Sequence, residues 1–261
     1  MKVTPLKKIL QYYLFVLAKI ILWRTRPLVI AIAGTTNKSF TKLALEALLR
    51  EQGQNTVLES YNTEIGLPLA ILGLKSGYNS YKRWFTIIIQ GFFRSFWLKL
   101  PKIIVLEFGS NQSGDLAYLA KIAKPKIAII TAITQRYLEQ FGGIDKAALE
   151  YADLVKNISA DGLVVLNADI PEVKKLNIFS KALVKYFSVT DNPAYARPGR
   201  ASAGEINNLF LVSNFKTTEE GIRGVLDDGQ NKQEFSLPYF GAHHAQAYAA
   251  AKAAMSFIKI L

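Results

Sequence analysis

LVIAIAGTTNKSFTK, from Leu28 to Lys42, joins an apolar run to a glycine turn and a polar segment. The apolar half, Leu28–Ala33, predicts a buried strand, and the pattern that follows predicts a helix from about Phe40 to Gln52. A turn between a strand and a helix can direct backbone N–H groups and the positive helix end at phosphates. The stretch therefore predicts a phosphate-binding loop in an α/β fold.

The side chains of this loop suit the same chemistry. Lys38 can reach the terminal phosphates of a nucleotide, and the Ser39 hydroxyl can ligate Mg²⁺. Asn37 stands where a glycine normally precedes the lysine of such a loop. Taken alone, the segment leaves two alternatives open, a phosphate-binding loop and a loop without a ligand.

The rest of the chain mostly alternates strands and helices. The pattern predicts strands at Ile103–Glu107, Ile127–Thr131 and Gly162–Leu166, and helices near Asp115–Ala123, Lys146–Asn157 and His244–Ile260. Short apolar runs separated by helices indicate a mostly parallel sheet with flanking helices. Residues 205–237 differ, because three short runs there predict a small antiparallel section: Asn208–Phe215, Gly221–Leu226 and Gln233–Leu237.

Composition limits the classes of site. The 261 residues are 50% hydrophobic, which allows a sizeable core in one large domain or one domain with appendages. Since cysteine is absent, a disulfide framework, a thiolate zinc site and a cysteine nucleophile are excluded. Two histidines, His243 and His244, are too few for a multi-histidine metal cluster.

The net charge of +12 is concentrated near the N-terminus, where residues 1–50 hold nine lysines and arginines against one acid, Glu46. Such charge suits nucleic acid, an anionic membrane or a polyphosphorylated substrate. Basic residues flank the apolar segment Ile9–Trp23, which predicts a helix. Its length of roughly 22 Å is short of the ~30 Å hydrocarbon core, which disfavours a spanning helix. The alternatives are a helix that lies in a membrane interface and one that packs on the protein's own core.

A second apolar and aromatic stretch runs from Trp84 to Leu100. All three tryptophans, Trp23, Trp84 and Trp97, fall in these two stretches. Tryptophan favours the membrane interface, although aromatic helices also fill ordinary cores. The pattern therefore raises membrane contact as a hypothesis for both segments.

Six ordered segments resemble the central ATP-binding domain of the Mur ligases, especially the type that adds D-alanyl-D-alanine. They cover roughly residues 28–257 and are the phosphate loop, Tyr61–Leu72 (YNTEIGLPLAIL), Val105–Ile133, Leu138–Asp145 (LEQFGGID), Leu166–Pro171 (LNADIP) and Gly241–Ala251 (GAHHAQAYAAA). The resemblance implies a P-loop NTPase-like domain over residues 28–261, preceded by a basic N-terminal helix at residues 1–27.

The resemblance also implies a reaction. In that family ATP phosphorylates a substrate carboxylate, and an amine then attacks the acyl phosphate to form an amide. Lys38 and Glu107 would be catalytic, and Ser39 and Glu107 would ligate Mg²⁺. The implied nucleotide-binding residues are Gly34, Thr35, Thr36, Asn37, Lys38, Ser39, Phe40, Asn167, Asp169 and His243. For Glu107 the alternative is a carboxylate paired with a nearby lysine.

The sequence departs from the family at three positions or motifs. Tyr137 stands where a histidine helps bind metal, and Tyr151 replaces the lysine whose carbamate bridges a second Mg²⁺. The adenine-side motif lacks both of its asparagines and reads His243, His244, Ala245, Gln246, Ala247. These changes predict Mg·ATP binding with impaired catalysis in this chain alone.

Two family domains have no counterpart in these residues: the N-terminal UDP-sugar-binding domain and the C-terminal domain that closes over ATP. The expected partners are ATP, a UDP-muramoyl-peptide, an anionic membrane surface and a partner chain supplying those domains. The expected location is the cytoplasm, peripherally at the inner face of the membrane. The alternatives are a non-catalytic nucleotide-binding scaffold at that surface and a nucleic-acid-binding protein, which the absence of a recognised nucleic-acid motif disfavours.

Overall fold

One sheet organises the fold in a computed structural model, which describes residues 5–56, 60–78, 80–134, 141–189 and 208–258. Within these residues the strands are β1 (Leu28–Ala33), β2 (Ile103–Phe108), β3 (Ile127–Ile130), β4 (Leu163–Asn167), β5 (Leu183–Val189), β6 (Leu209–Thr218), β7 (Gly221–Asp227) and β8 (Lys232–Leu237). Their order across the sheet is β2-β1-β3-β4-β5-β6-β7-β8. Pairing is parallel from β2 through β6, and antiparallel from β6 to β8.

Helices cover both faces of this sheet. They are α1 (Pro5–Thr25), α2 (Lys38–Glu51), α3 (Gly66–Ile71), α4 (Tyr81–Trp97), α5 (Asp115–Ala123), α6 (Ile144–Lys156), α7 (Pro171–Lys174) and α8 (Ala242–Ile258), with a 3-10 helix at Lys175–Phe179. Successive residues of β1 face opposite cores: Ala31 packs with α1, α3, α5 and α6, whereas Ile30 and Ile32 pack with α2 and α8. A strand buried on both faces must be apolar at nearly every position, which explains the unbroken run LVIAIA.

The parallel pairing brings the strand ends of the candidate site together. Ala33 at the end of β1 is in register with Phe108 of β2 and Ile130 of β3. The loop that follows β1, the end of β2 and the residues that follow β3 therefore meet at one edge of the sheet. Ligand sites in open α/β sheets lie at this carboxyl edge.

Helix α1 is docked on the domain along one of its faces. Leu14, Leu17, Ala18 and Ile21 are buried in the core that α1 shares with α3, α4 and α5. Of the two alternatives for this helix, packing on the protein's own core is the one that the structure shows for this face. No helix in the described ranges has the length and apolar character that crossing a bilayer requires.

The predicted α/β fold with a mostly parallel sheet is confirmed. The four strands predicted up to residue 166, the helices α2, α5, α6 and α8, and the three antiparallel strands form near their expected positions. The antiparallel section continues the main sheet beyond β6. Sequence analysis missed β5, whose sequence LVKYFSV is only partly buried, and the short helices α3 and α7.

Candidate functional site

The loop between β1 and α2 is held against the end of β3. Gly34 has φ 145°, and a Cβ on it would lie 2.1 Å from Oγ1 of Thr131. The same hydroxyl donates to the carbonyl oxygen of Thr36 at 2.6 Å. The Thr35 N–H donates to the carbonyl oxygen of Ala132 at 2.8 Å. The loop therefore requires glycine at its first position and is fixed by backbone and hydroxyl contacts.

Asn37 supplies the conformation that a glycine would otherwise supply. It lies just before α2 with φ 64° and ψ 7°, the left-handed region that asparagine tolerates better than most residues. Its Nδ2 donates to the carbonyl oxygen of His243 at 3.1 Å, which ties the loop to α8. Its side chain makes no capping hydrogen bond to α2, so the first N–H groups of that helix stay available to an anion.

Lys38 and Ser39 begin α2 and face Glu107 of β2. Ser39 Oγ donates to Glu107 Oε2 at 3.1 Å. Lys38 Nζ donates to the carbonyl oxygen of Gly34 at 2.6 Å. Burial lowers the pKa of Lys38, and the negative charge of Glu107 opposes that shift. These two side chains place a hydroxyl and a cation beside one buried carboxylate.

The second oxygen of that carboxylate has no partner among the described residues. Glu107 is buried, and its Oε1 has no hydrogen bond to any described residue. A buried carboxylate oxygen is costly to leave unpaired, so such an atom is a natural ligand for a cation or a water molecule. Within the described part of the chain, no cluster of three or more His, Cys, Asp or Glu side chains could hold a metal. A metal here would therefore need ligands beyond this carboxylate.

Asn167 and Asp169 are linked to the phosphate loop by a chain of hydrogen bonds that runs through Thr131. Asn167 Nδ2 donates to the carbonyl oxygen of Thr131 at 2.9 Å, and its Oδ1 accepts from the Asp169 N–H at 2.9 Å. The Asp169 carboxylate accepts from Ser188 Oγ and from the Val189 N–H. Burial raises the pKa of this carboxyl, and the hydrogen bonds oppose the shift. Asn167 thus supports the residue that fixes the phosphate loop, and Asp169 joins the ends of β4 and β5.

An aromatic group lies at the start of α8. The Phe40 ring is 4.6 Å from each of the His243 and His244 rings, centroid to centroid. Tyr239 stacks on His244 at 4.7 Å with an interplanar angle of 15°. Burial, and then the neighbouring His243, lower the pKa of His244. Phe40 and His243, both predicted nucleotide-binding residues, are therefore in contact, and Tyr239 and His244 extend their group.

Sequence analysis missed Thr131, whose hydroxyl and carbonyl join the loop to β4. Its signal was its position, since it directly follows β3 at the sheet edge where the phosphate loop lies. Thr134 adds a further tie, with its Oγ1 2.9 Å from Oγ1 of Thr35.

Two tyrosines, Tyr137 and Tyr151, stand where the family resemblance implies residues that organise metal. Tyr137 lies outside the described residues. Tyr151 lies on α6 and is buried among the apolar side chains that cover one sheet face. Its neighbour Glu150 accepts from the N–H groups of Gly114 and Leu116 at 2.7 and 2.6 Å, which caps α5. This part of α6 therefore serves packing and helix capping.

Comparison with known proteins finds several relatives of this chain. The UDP-N-acetylmuramoyl-tripeptide--D-alanyl-D-alanine ligase of Buchnera aphidicola is 26% identical over 256 residues, 95% of this chain and 47% of that protein. MurF from Acinetobacter baumannii, and MurF ligase from Thermotoga maritima in complex with ADP, each align with a TM-score of 0.72 and 20% identity. These alignments cover 95% of this chain in both cases, and 47% and 49% of those chains respectively.

The chain spans about half the length of the curated relatives it matches. The profile of the Mur ligase middle domain matches residues 32–255, from β1 to near the end of α8. That range contains every predicted site residue, including the phosphate loop, Glu107 and His243. The chain belongs to the Mur ligase middle domain family.

Proposed function

We propose that this chain binds Mg·ATP at the β1–α2 loop and is the ATP-binding domain of a Mur-type ligase of peptidoglycan precursor synthesis. The observation that carries the proposal is the Ser39–Glu107 pair, with its unpartnered carboxylate oxygen, beside the start of α2. A hydroxyl, a carboxylate and a helix N-terminus in one place are what a metal-bound polyphosphate requires. The family relation favours ATP as that polyphosphate.

The chain's own residues would divide the work of holding the nucleotide. The N–H groups at the start of α2 would hold phosphate oxygens, and Lys38 Nζ would exchange its bond to the Gly34 carbonyl for a phosphate. Asn167 and Thr131 would keep the loop in place, because Asn167 bonds to Thr131 and Thr131 bonds to the loop. Phe40 and His243 would lie on the nucleoside side, where their rings already contact each other.

The donor set fits Mg²⁺. Ser39 Oγ and the free Oε1 of Glu107 are hard oxygen ligands, and Mg²⁺ is commonly held by one or two carboxylates together with phosphates and water. When bound, the ion would neutralise phosphate charge during transfer to a carboxylate. Tyr151 gives no carbamate for a second ion, so the proposal includes one Mg²⁺.

The substrate and the reaction are proposed from the family. The acceptor would be a UDP-muramoyl-peptide, whose carboxylate is activated by ATP and then attacked by an amine. Domains that bind the UDP-sugar and close over ATP would come from further sequence of the same protein or from a partner chain. We place the protein in the cytoplasm, where ATP is available, peripherally at the inner face of the membrane.

A nucleotide-binding scaffold without ligase activity is the second candidate. It is favoured by Tyr151, which is buried in the core at the position where the family's second metal site needs a lysine. Loss of one positioned charge-stabilising group typically costs ~10²- to 10³-fold in turnover. The two candidates share the nucleotide site and differ in turnover.

Calorimetric titration with ATP and Mg²⁺ tests the nucleotide site. Lys38→Ala should weaken binding at least tenfold, about 1.4 kcal/mol, because it removes the cation proposed to bind the phosphates. Lys146→Ala, an exposed lysine on α6, is the matched control and should leave the affinity unchanged. Equal affinities for wild type and Lys38→Ala would contradict the assignment.

Phosphate release with UDP-muramoyl-tripeptide and D-alanyl-D-alanine separates the two candidates. We expect turnover by this chain alone to stay far below about 1 s⁻¹, the lower end for ordinary enzymes. Turnover that appears when domains that bind the UDP-sugar and close over ATP are supplied would support the ligase. Nucleotide binding that never leads to phosphate release, with those domains present, would support the scaffold.

A further inference from the structure

Helix α4 presents an exposed apolar surface that the nucleotide site does not use. A narrow stripe of this helix, Ile87, Gly91 and Ser95, is buried against the protein. The opposite side exposes six large apolar residues by 43% to 69%, and we call them the α4 apolar face: Phe85, Ile89, Phe92, Phe93, Phe96 and Trp97. Large apolar side chains exposed together on one helix mark an interaction surface.

The α4 apolar face is continuous and firmly supported. Ring centroids are 5.2 Å apart for Phe92 and Phe96, and 5.6 Å apart for Phe93 and Trp97. Helix α1 runs parallel beneath α4, since Tyr13 Oη donates to the Ile88 carbonyl and Arg24 donates to the Ser95 carbonyl further along both helices. The face therefore keeps its shape without a partner.

The charges around this face are of one sign. Residues 81–102 contain five cations and no aspartate or glutamate: Lys82, Arg83, Arg94, Lys99 and Lys102. Beside the face, a groove of about 550 Å³ has both apolar and polar walls and contains three cations, Lys75, Arg83 and Arg94. The Arg94 guanidinium donates to the carbonyls of Leu72 and Gly73, which leaves Lys75 and Arg83 as the exposed cations of the groove. Among the described residues that line this groove, none is acidic. An occupant of this region must be apolar in one part and negatively charged in another.

An anionic lipid surface meets both requirements. Aromatic rings with flanking cations are typical of helices that lie in the membrane interface. At 17 residues α4 is roughly 25 Å long, shorter than the ~30 Å hydrocarbon layer, so lying flat suits it better than crossing. A second copy of the chain would bring like charges together across the face, which disfavours self-association.

We propose that the α4 apolar face docks this protein on an anionic membrane surface, with lipid phosphates in the adjoining cationic groove. Phe93 and Trp97 enter the interface, and Lys75 and Arg83 contact the headgroups. Helix α1 supports α4 through its buried side. This surface is separate from the phosphate loop, so docking does not depend on the proposed nucleotide chemistry.

Co-sedimentation with vesicles of phosphatidylcholine, with and without phosphatidylglycerol, tests the apolar part. The whole chain should pellet with anionic vesicles at low salt, and the double variant Phe93→Ser/Trp97→Ser should lower the partition coefficient at least tenfold. The matched control is Leu149→Ser/Ile178→Ser, two apolar residues exposed by 56% and 75% on α6 and the 3-10 helix, which should bind like wild type. Failure of the wild type to pellet, or equal binding by the Phe93/Trp97 variant, overturns the proposal.

The groove has its own test. Lys75→Gln/Arg83→Gln should weaken binding to anionic vesicles several-fold and reduce its dependence on salt, because each cation near the surface contributes separately. Unchanged binding and salt dependence would refute the headgroup contact. Light scattering without lipid covers the other occupant: a wild-type dimer that Phe93→Ser/Trp97→Ser dissociates would make the face a contact between copies and overturn the proposal.

Discussion

Asn37 allows a direct test of how the phosphate loop keeps its shape without the usual glycine. Its φ of 64° and ψ of 7° place it in the left-handed region. We predict that Asn37→Gly is more stable than Asn37→Ala, although alanine is the better residue at most ordinary positions. The comparison isolates the backbone because both variants lose the same side-chain contact to His243.

The size of the difference follows from two opposing effects. The left-handed conformation costs a residue with a Cβ ~1–2 kcal/mol. Glycine loses more conformational freedom on folding than alanine does, which favours the alanine variant by about 0.4–1 kcal/mol. The free energy of unfolding of Asn37→Gly should therefore exceed that of Asn37→Ala by about 1 kcal/mol.

Urea denaturation followed by circular dichroism measures this difference. The matched control is Leu149→Gly against Leu149→Ala on the exposed side of α6, where alanine should be more stable by ~1 kcal/mol. The order of the two residues should thus reverse between the positions. If alanine is as stable as glycine at position 37, the reasoning about the loop is wrong.

Three further predictions concern the docking of α1, the proposed metal ligand and the pH dependence of stability. Leu17→Ala should destabilise the protein by ~2–5 kcal/mol because Leu17 is buried under α4. Trp23 is 74% exposed, so Trp23→Ala should cost less than about 0.5 kcal/mol. Equal small effects of the two substitutions would mean that α1 is not docked. Glu107→Gln should remove the Mg²⁺ dependence of ATP affinity in titrations, and an unchanged dependence would exclude Glu107 as a ligand. Because the pKa of His244 is lowered in the folded state, the unfolded chain binds more protons, and wild-type stability should fall as pH drops below 6.5. In thermal melts between pH 7.5 and 5.5, His244→Phe should lose less stability than the wild type. Parallel curves for the two proteins would contradict this prediction.

The parallel core could be predicted because its strands are apolar on both faces. Strand β5 could not, since Lys185 interrupts its apolar pattern and its burial comes from neighbours that the sequence does not reveal. Helix α1 is apolar nearly all round, so its sequence has no polar face to indicate which side packs. Only the structure shows that Leu17 and Ile21 face inward.

The site was predictable where the family resemblance points to a residue and unpredictable where a residue's role depends on contacts. Ser39 and Glu107 were expected to act together, and the structure places them 3.1 Å apart. Asn37 was noted in the sequence as a departure from the usual glycine. The structure explains the departure, because Asn37 adopts the left-handed conformation that a glycine would adopt. Thr131 was missed because its hydroxyl serves a loop that is 95 residues away in sequence.

The bond between Asn37 and His243 joins residues 206 positions apart. During synthesis the ribosome adds ~5–20 residues per second, so β1 and its loop leave the exit tunnel at least about ten seconds before α8 does. Until then the loop has only its contacts with the end of β3 and lacks its bond to α8, and α2 lacks the helix that covers it. If ATP binds at this loop as proposed, a nascent chain would gain its full nucleotide affinity only after α8 has packed, so ATP binding would report completed folding.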